Sequence, residues 1–368
     1  MKIFLAGGGT GGATAPLLAV AEALEKIQPG NKFYLVADSR GVNKKIYESL
    51  PFQTTFLIIP SGKWRRYFSF RNFFDIFKIF AGFIKSIILI RKYRPDIVFG
   101  AGSFVQVPVA YAAYLSGVPV VIHQQDVRLL LSNRLCAFLA KAVTVSFSYS
   151  GKEFPEFSGM FKKIHHSKIF LTGNPARKEI FGGSATEARK IFQLNDKYPV
   201  ALVVGGSSGA ARLNDIVISA LPDMLKFVQV IHITGKRKER ILNREGYHVY
   251  EFLGSDLKHA YAVADMVLSR GGMSTITELS LLGKLSIFVP LPHSPQEDNV
   301  AFLNYFKLAI GVTEDVLNPE LLVKLLRKIL WDRELQQSLQ ENFKKMMPGD
   351  AQVKIAKILI RVHRESYK

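Results

Sequence analysis

Short apolar runs alternate with helix-length segments along most of this chain. Lys2–Ala6 is apolar and ends in Gly7-Gly8-Gly9-Thr10-Gly11-Gly12, after which apolar residues recur at helical spacing over 16–27. Further runs rich in Val and Ile stand at 33–37, 97–100, 118–122 and 143–146. Runs apolar on both faces, separated by helix-length stretches, predict strands of a buried parallel sheet. The opening is repeated where Val200-Ala201-Leu202-Val203-Val204 precedes Gly205-Gly206-Ser207-Ser208-Gly209 and another helical stretch, with strands predicted over 228–234, 266–269 and 285–290. Two doubly wound, Rossmann-like α/β domains in tandem are expected. The turn residues Thr172-Gly173-Asn174-Pro175 place the junction, giving domains over 1–173 and 174–349. Pro348 and Gly349 interrupt the last helical region, and a final helix within 350–368 is expected to return to the first domain.

Composition narrows the class. The 368 residues, 48% hydrophobic and 21% charged, exclude a disordered, collagen-like or coiled-coil chain. The single cysteine, Cys136, excludes a disulfide framework and a Cys-rich metal site. The apolar start before the glycine cluster is too short for a secretory signal core. Net charge is +19, and residues 1–173 hold 22 Lys and Arg against 9 Asp and Glu. Such a field favours an anionic partner: a nucleic acid, an acidic lipid surface or a phosphorylated substrate. No nucleic-acid recognition module accompanies the charge, so no nucleic-acid partner is expected.

Gly7-x-Gly9-x-x-Gly12 matches the dinucleotide fingerprint, with Asp38 near the end of the second predicted strand, so a nicotinamide-dependent oxidoreductase is one reading. The second glycine turn, 205–209, argues against it. Glycines let backbone amides at a helix N-terminus approach a phosphate, and one such cradle per half suits two phosphorylated substrates.

Several motifs occur together in a familiar order: Gly7–Gly12 with Pro16 and Ala19; Val121-Ile122-His123-Gln124-Gln125; Asn133-Arg134-Leu135; and Thr172-Gly173-Asn174-Pro175-x-Arg177. They continue with Gly205-Gly206-Ser207-x-Gly209-Ala210, Leu213-Asn214, Ala260-Tyr261-x-x-Ala264-Asp265 and Ser269-Arg270-x-Gly272-x-x-Thr275-x-x-Glu278-Leu279. Over nearly its full length the chain resembles the MurG family of N-acetylglucosaminyltransferases, in glycosyltransferase family 28. The resemblance implies a GT-B fold, two Rossmann-like domains facing a cleft, and a hexosyltransferase that converts lipid I to lipid II in peptidoglycan synthesis. It implies UDP-GlcNAc as donor in the C-terminal domain and lipid I, a polyprenyl-diphosphate-linked acceptor, in the N-terminal one. Inverting transfer without metal or other cofactor is implied, consistent with the lack of an Asp-x-Asp pair. Peripheral attachment to an anionic membrane at the cytoplasmic face of the bacterial plasma membrane, alongside other cell-wall synthesis proteins, follows from the same resemblance.

Residue by residue, the resemblance puts Gly206, Ser207, Ser208, Gly209 and Arg177 on the donor diphosphate and Glu278 on the ribose hydroxyls. Leu253 falls at the uracil-binding segment, Met273 and Thr275 beside the donor, and Gln296 and Asn299 on the sugar hydroxyls. Thr10, Gly11, Gly12, Gly102, Ser103, Gln124, Gln125 and Asn133 correspond to the acceptor side. The chain departs from the family at its chemistry. Ala13 stands where the family has a histidine, Gln124 where it has Glu, and Asp126 where it has Asn. Alanine accepts no proton, so a general base must come from elsewhere, and His123 is the nearest candidate. Three readings stay open: a rearranged base, a different lipid acceptor, or a catalytically impaired homologue that binds and scaffolds.

Residues 64–94 contain seven Phe, eight Lys and Arg, and one acid, Asp75. Phe73, Phe77, Phe80, Ile84 and Ile87 share one helical face, with Arg71, Lys78, Lys85 and Lys92 in a stripe beside it. The charges exclude a spanning helix, which needs ~20 apolar residues. Adjacent apolar and basic stripes, with the preceding Trp64-Arg65-Arg66-Tyr67-Phe68, predict a helix and loop lying in a lipid headgroup layer.

Overall fold

The computed structural model describes residues 1–8, 11–39, 52–62, 70–154, 168–205, 210–235 and 244–367. It divides into two compact units, Met1–Ala176 with Gly349–Lys368, and Arg177–Pro348. In the first unit the strands are β1 (Lys2–Ala6), β2 (Lys32–Ala37), β3 (Thr54–Ile58), β4 (Ile97–Gly100), β5 (Val120–Gln124), β6 (Ala142–Val145) and β7 (Ile169–Leu171). They form one parallel sheet in the order β3-β2-β1-β4-β5-β6-β7. The helices here are α1 (Gly11–Ile27), α2 (Phe70–Tyr93), α3 (Gln106–Leu115), α4 (Leu131–Cys136) and α5 (Ser148–Lys152).

The second unit holds α6 (Ala185–Ile191), β8 (Val200–Val204), α7 (Ala211–Met224), β9 (Gln229–Ile233), β10 (Tyr247–Tyr250), α8 (Leu257–Val263) and β11 (Met266–Arg270). It continues with α9 (Met273–Leu281), β12 (Leu285–Val289), α10 (Gln296–Tyr305), β13 (Ile310–Gly311), α11 (Pro319–Trp331) and α12 (Arg333–Lys344). Its parallel sheet runs β10-β9-β8-β11-β12-β13. The last helix, α13 (Ala351–Ser366), packs on α1, burying Ile355, Ala356 and Leu359 against the core that holds Ile3, Leu5 and Leu17.

Central strands are buried along nearly their whole length, as β4 (Ile-Val-Phe-Gly) and β8 (Val-Ala-Leu-Val-Val) are, which is why their sequences are apolar. The edge strands β3 (Thr-Thr-Phe-Leu-Ile), β10 (Tyr-His-Val-Tyr) and β13 are half-buried or short, and their sequence carries no comparable signal. Strand β5 begins two residues later than its apolar run, which draws His123 and Gln124 into the sheet.

Helix α2 turns the expected arrangement outward. Gly82, Ser86 and Ile90, four residues apart, face the sheet and are buried. A Cβ at Gly82 would collide with the Pro60 carbonyl oxygen, so only glycine allows this approach. Ser86 Oγ donates to the Gly82 carbonyl at 2.7 Å. Phe83 and Ile87 pack partly on the core, correcting the placement of Ile87 on the outer face, where Ile88 stands instead. Phe77, Phe80, Ile84 and Ile88 are exposed, as are Lys78, Lys85, Arg91 and Lys92. Among the described residues no helix is long and apolar enough to cross a membrane.

Candidate active site

In each unit the carboxyl ends of the parallel strands and the helix N-termini that follow them meet at one edge, where ligands of doubly wound sheets bind. In the second unit β8 ends at Gly205, where a Cβ would stand 2.8 Å from Ala210 Cβ and 3.2 Å from the Ile233 carbonyl oxygen. That close packing fixes glycine there. The turn itself, Gly206, Ser207, Ser208 and Gly209, lies outside the described residues. After β11, Gly271 is pressed against Val300 and the Gln296 carbonyl. Asn299, fully buried, donates from Nδ2 to the Gly271 carbonyl at 3.2 Å. Gln296 accepts the Leu291 amide at 3.0 Å. Asn299 thus ties α10 to the turn before α9, and Gln296 holds the loop that follows β12.

Glu278, on the second turn of α9, is 4% exposed and collects three donors. Its Oε1 accepts from Arg177 Nη2 at 3.0 Å and Nε at 3.3 Å, and its Oε2 from the Tyr261 hydroxyl at 3.1 Å. Burial disfavours the Arg177 charge, but the Glu278 carboxylate outweighs it and raises the guanidinium pKa. Burial, then the Glu278 charge, pushes the Tyr261 hydroxyl well above its ordinary value, so it stays a donor. Arg177 keeps a quarter of its side chain exposed. Thr275 is half-buried and Met273 buried in the first turn of α9; Leu253 is buried, with Phe252 pointing outward.

A second buried pair was not read as a site from sequence. Arg270, the last residue of β11, donates from Nη1 to Glu314 Oε2 at 2.7 Å and to the Val289 and Pro290 carbonyls. Its Nε is buried without an acceptor among the described residues. Tyr261 and Arg270 both stand in the quoted motifs; the signal that separated them was burial, which only the fold supplies.

In the first unit Ala13 lies half-buried in the first turn of α1, and Gly12 is exposed. Thr10 lies outside the described residues, and Gly11 opens α1. Gly7 and Gly8 have packing reasons: a Cβ would strike Leu17 in one case and stand 3.1 Å from Ala37 in the other. Asp38 accepts from Ser61 Oγ at 3.1 Å. Gly102 takes φ +85°, a left-handed turn that favours glycine, and Ser103 is buried beside it.

The remaining acceptor-side candidates are buried in the first unit. His123 is fully buried, its Nδ1 2.9 Å from Thr144 Oγ1 and its Nε2 3.0 Å from Asn174 Oδ1. Burial lowers its pKa to about 4, so it is neutral, enclosed and already partnered on both nitrogens. A base must reach its proton, and this ring does not. Gln124 donates to the Asp126 and Arg128 carbonyls and accepts from Leu130 N and Asn133 Nδ2. Gln125 donates to the Ala101 carbonyl at 2.7 Å. Asn133 also donates to the His123 carbonyl and accepts from Gln106 Nε2 at 2.8 Å. Gln106, missed in sequence because nothing in its local pattern marks it, accepts the Gly102 amide at 2.7 Å. Bonded to one another and to backbone, these amides hold the 100–103 turn in place. Trp64, Arg65, Arg66 and Phe68 lie outside the described residues, and so does the side chain of Phe73.

The comparisons with known proteins define the class. Residues 3–145 match the glycosyltransferase family 28 N-terminal domain and residues 200–354 the family 28 C-terminal domain. The chain belongs to glycosyltransferase family 28, and its two parallel-sheet units are those of the GT-B fold. It is 34% identical over 369 residues, 98% of this chain and 99% of the other, to the UDP-N-acetylglucosamine–N-acetylmuramyl-(pentapeptide) pyrophosphoryl-undecaprenol N-acetylglucosamine transferase of Lachnoclostridium phytofermentans. The Clostridium kluyveri protein of the same name is 34% identical over 334 residues, 89% of this chain and 91% of the other. Among solved structures, Acinetobacter baumannii MurG superimposes with a TM-score of 0.70 at 24% identity, covering 98% of this chain and 99% of that one. The UDP-GlcNAc 2-epimerase of Neisseria meningitidis, bound to UDP-GlcNAc, gives 0.72 at 15%, covering 98% and 100%. At these identities the structural likenesses establish the fold.

Proposed function

We infer that this chain is an inverting hexosyltransferase that moves GlcNAc from UDP-GlcNAc to the 4-hydroxyl of MurNAc in lipid I, yielding lipid II for peptidoglycan synthesis. The observation that carries the reading is the Arg177–Glu278–Tyr261 cluster at the ligand edge of the second unit, in a chain that matches family 28 in both domains. The donor diphosphate takes Arg177, and the 206–209 turn adds backbone amides. Glu278 then accepts from the ribose hydroxyls. As the acceptor oxygen bonds to the anomeric carbon from the face opposite UDP, the carbon–oxygen bond to the diphosphate breaks and UDP leaves with both electrons. A fixed guanidinium stabilises the negative charge that develops there without reorganising.

The acceptor belongs to the first unit, where the Gly102–Ser103 turn offers backbone. With both nitrogens of His123 engaged by Thr144 and Asn174, the proton of the attacking hydroxyl passes to a base other than this ring. The exposed Phe and Lys positions of α2 seat the enzyme on an anionic membrane, at the inner face of the bacterial plasma membrane.

The test is transfer from labelled UDP-GlcNAc to a short-chain lipid I analogue, for the natural chain and for Ala13→His. Turnover by the natural chain that Ala13→His leaves unchanged or raises supports the reading. No product from either chain, with intact UDP-GlcNAc binding, refutes it in favour of a binding and scaffolding protein.

A further inference from the structure

We propose that the first unit carries an anion site at the amino end of its sheet, away from the ligand edge, for a small soluble phosphate compound of two or more charges. A cavity of about 430 Å³ opens there between the last turns of α13 and the outer strands β6 and β7. Lys141 leads into β6, Lys168 into β7, and Arg361 and Val362 stand on α13. Phe170 of β7 packs against the core under that helix. The Tyr367 hydroxyl, just past α13, donates to the Asp96 carbonyl ahead of β4, which fixes the helix end at the amino side of the sheet. The volume is that of a small-molecule site, ~300–1,000 Å³.

Charge decides the ligand class. Lys141, Lys168 and Arg361 converge on the cavity with one carboxylate, Glu365. That carboxylate is 66% exposed and stands 4.0 Å from Arg361, too far for a hydrogen bond. Lys141 and Lys168 have no ion-pair partner among the described residues. The Arg361 guanidinium lies over the Phe170 ring, 4.7 Å from its centroid, which orients a group suited to bidentate contact with phosphate oxygens. Lys357 and Arg364, both exposed, continue the basic stripe of α13 on either side of Arg361 and extend the positive field around the cavity. A helix C-terminus itself draws cations, with roughly half a negative charge. Together with Glu365 this offsets about half of the three positive charges, and the lysines of the two strand leads supply an excess that only an external anion neutralises.

The two faces of the sheet decide the source. Ile3 and Leu5 of β1 lie in the core with α13, and Phe4 between them lies in the core with Ile90 of α2. Helices α13 and α2 therefore cover opposite faces, and the cavity is not on the face seated on the bilayer. A soluble anion is the occupant, and a lipid headgroup of the same chemistry is the source the test separates from it. The site stands apart from the transfer reading; only this choice of source uses the placement of α2.

The test is isothermal titration of the intact chain with inorganic tripolyphosphate, in excess UDP to occupy the donor edge of the second unit. Saturable binding is expected, weakened about fivefold or more by each of Lys141→Gln, Lys168→Gln and Arg361→Gln, and kept within about twofold by Lys141→Arg, which retains the charge. Arg177→Met leaves it unchanged. No saturable binding, or binding that the three glutamine variants leave intact, overturns the site and reduces the cations to partners of the helix end. Binding to phosphatidylglycerol vesicles that those variants weaken, with no tripolyphosphate binding, overturns the soluble ligand. Tripolyphosphate binding in a chain that transfers no sugar would sink the proposed function and leave this site standing; transfer without tripolyphosphate binding does the reverse.

Discussion

At the ligand edge of the first sheet, His123, Gln124, Gln125 and Asn133 are buried and bonded to one another, to neighbouring side chains and to backbone. At the same edge of the second sheet, Arg177 and Glu278 meet as an ion pair with the guanidinium a quarter exposed. Neutral buried amides contribute about 1 kcal/mol per bond and cost more when a partner is lost, so they hold a turn and do not exchange partners. A guanidinium beside a carboxylate can trade that partner for a diphosphate, which it binds with charge-assisted, bidentate geometry. The first unit thus presents backbone shaped by its side chains, and the second presents side chains. The two sheets share one device, a buried histidine: His232 sits between Tyr247 and Asn214 as His123 sits between Thr144 and Asn174.

This contrast can be broken at several points. The largest expected effect comes from Arg177→Met, which removes the cation from the donor edge and leaves Glu278 buried with Tyr261 alone. UDP affinity by titration calorimetry should fall about 100-fold, the scale of a lost charged partner at a binding site. Unchanged UDP affinity would show that the pair is merely structural. Acidification comes next and acts on both units. Burial depresses His123 and His232 to about 4 from an ordinary 6.5, so the unfolded chain binds protons first as pH falls. Their contribution is full above pH 6.5 and is lost between there and about pH 4. Urea unfolding at pH 4.5 against pH 7.5 should show a loss of about 2–3 kcal/mol per ring. His123→Gln should flatten the profile of the first unit only.

Asn133→Ala sharpens the difference from the other side. It strands Gln106 and the His123 carbonyl, costing about 2–3 kcal/mol of stability and raising the acceptor KM, with UDP affinity unchanged. A selective loss of donor binding would contradict the assignment of roles. The smallest effect belongs to Tyr261→Phe. Losing one hydroxyl from Glu278 should raise the UDP-GlcNAc KM about fivefold, near 1 kcal/mol, with kcat little changed.

Much of this arrangement was legible in the sequence because buried parallel strands are written as uninterrupted apolar runs: β1, β4, β8, β11 and β12 were all read, and the edge strands β3, β10 and β13, which bury less, were not. Motif order singled out Arg177 and Glu278 separately; that they pair directly, across 101 residues of sequence, only the fold supplies. What periodicity does not encode is which way a polar side chain is spent. His123 and Gln124 read as strand-end residues, and a two-residue shift of β5 encloses them. Likewise the Phe stripe of α2 reads as the packed face of a helix as readily as an exposed one. Gly82 and Ser86, whose small size lets the opposite face approach Pro60, decide the matter.

The most direct test of the central claim, that the pair at the second sheet's edge is the donor site, is a titration of UDP-GlcNAc into the intact chain and into Glu278→Ala. Saturable binding that weakens at least tenfold in the variant is the predicted result. Equal affinity in the two proteins, or binding of a nicotinamide dinucleotide in place of the uridine nucleotide, would contradict it.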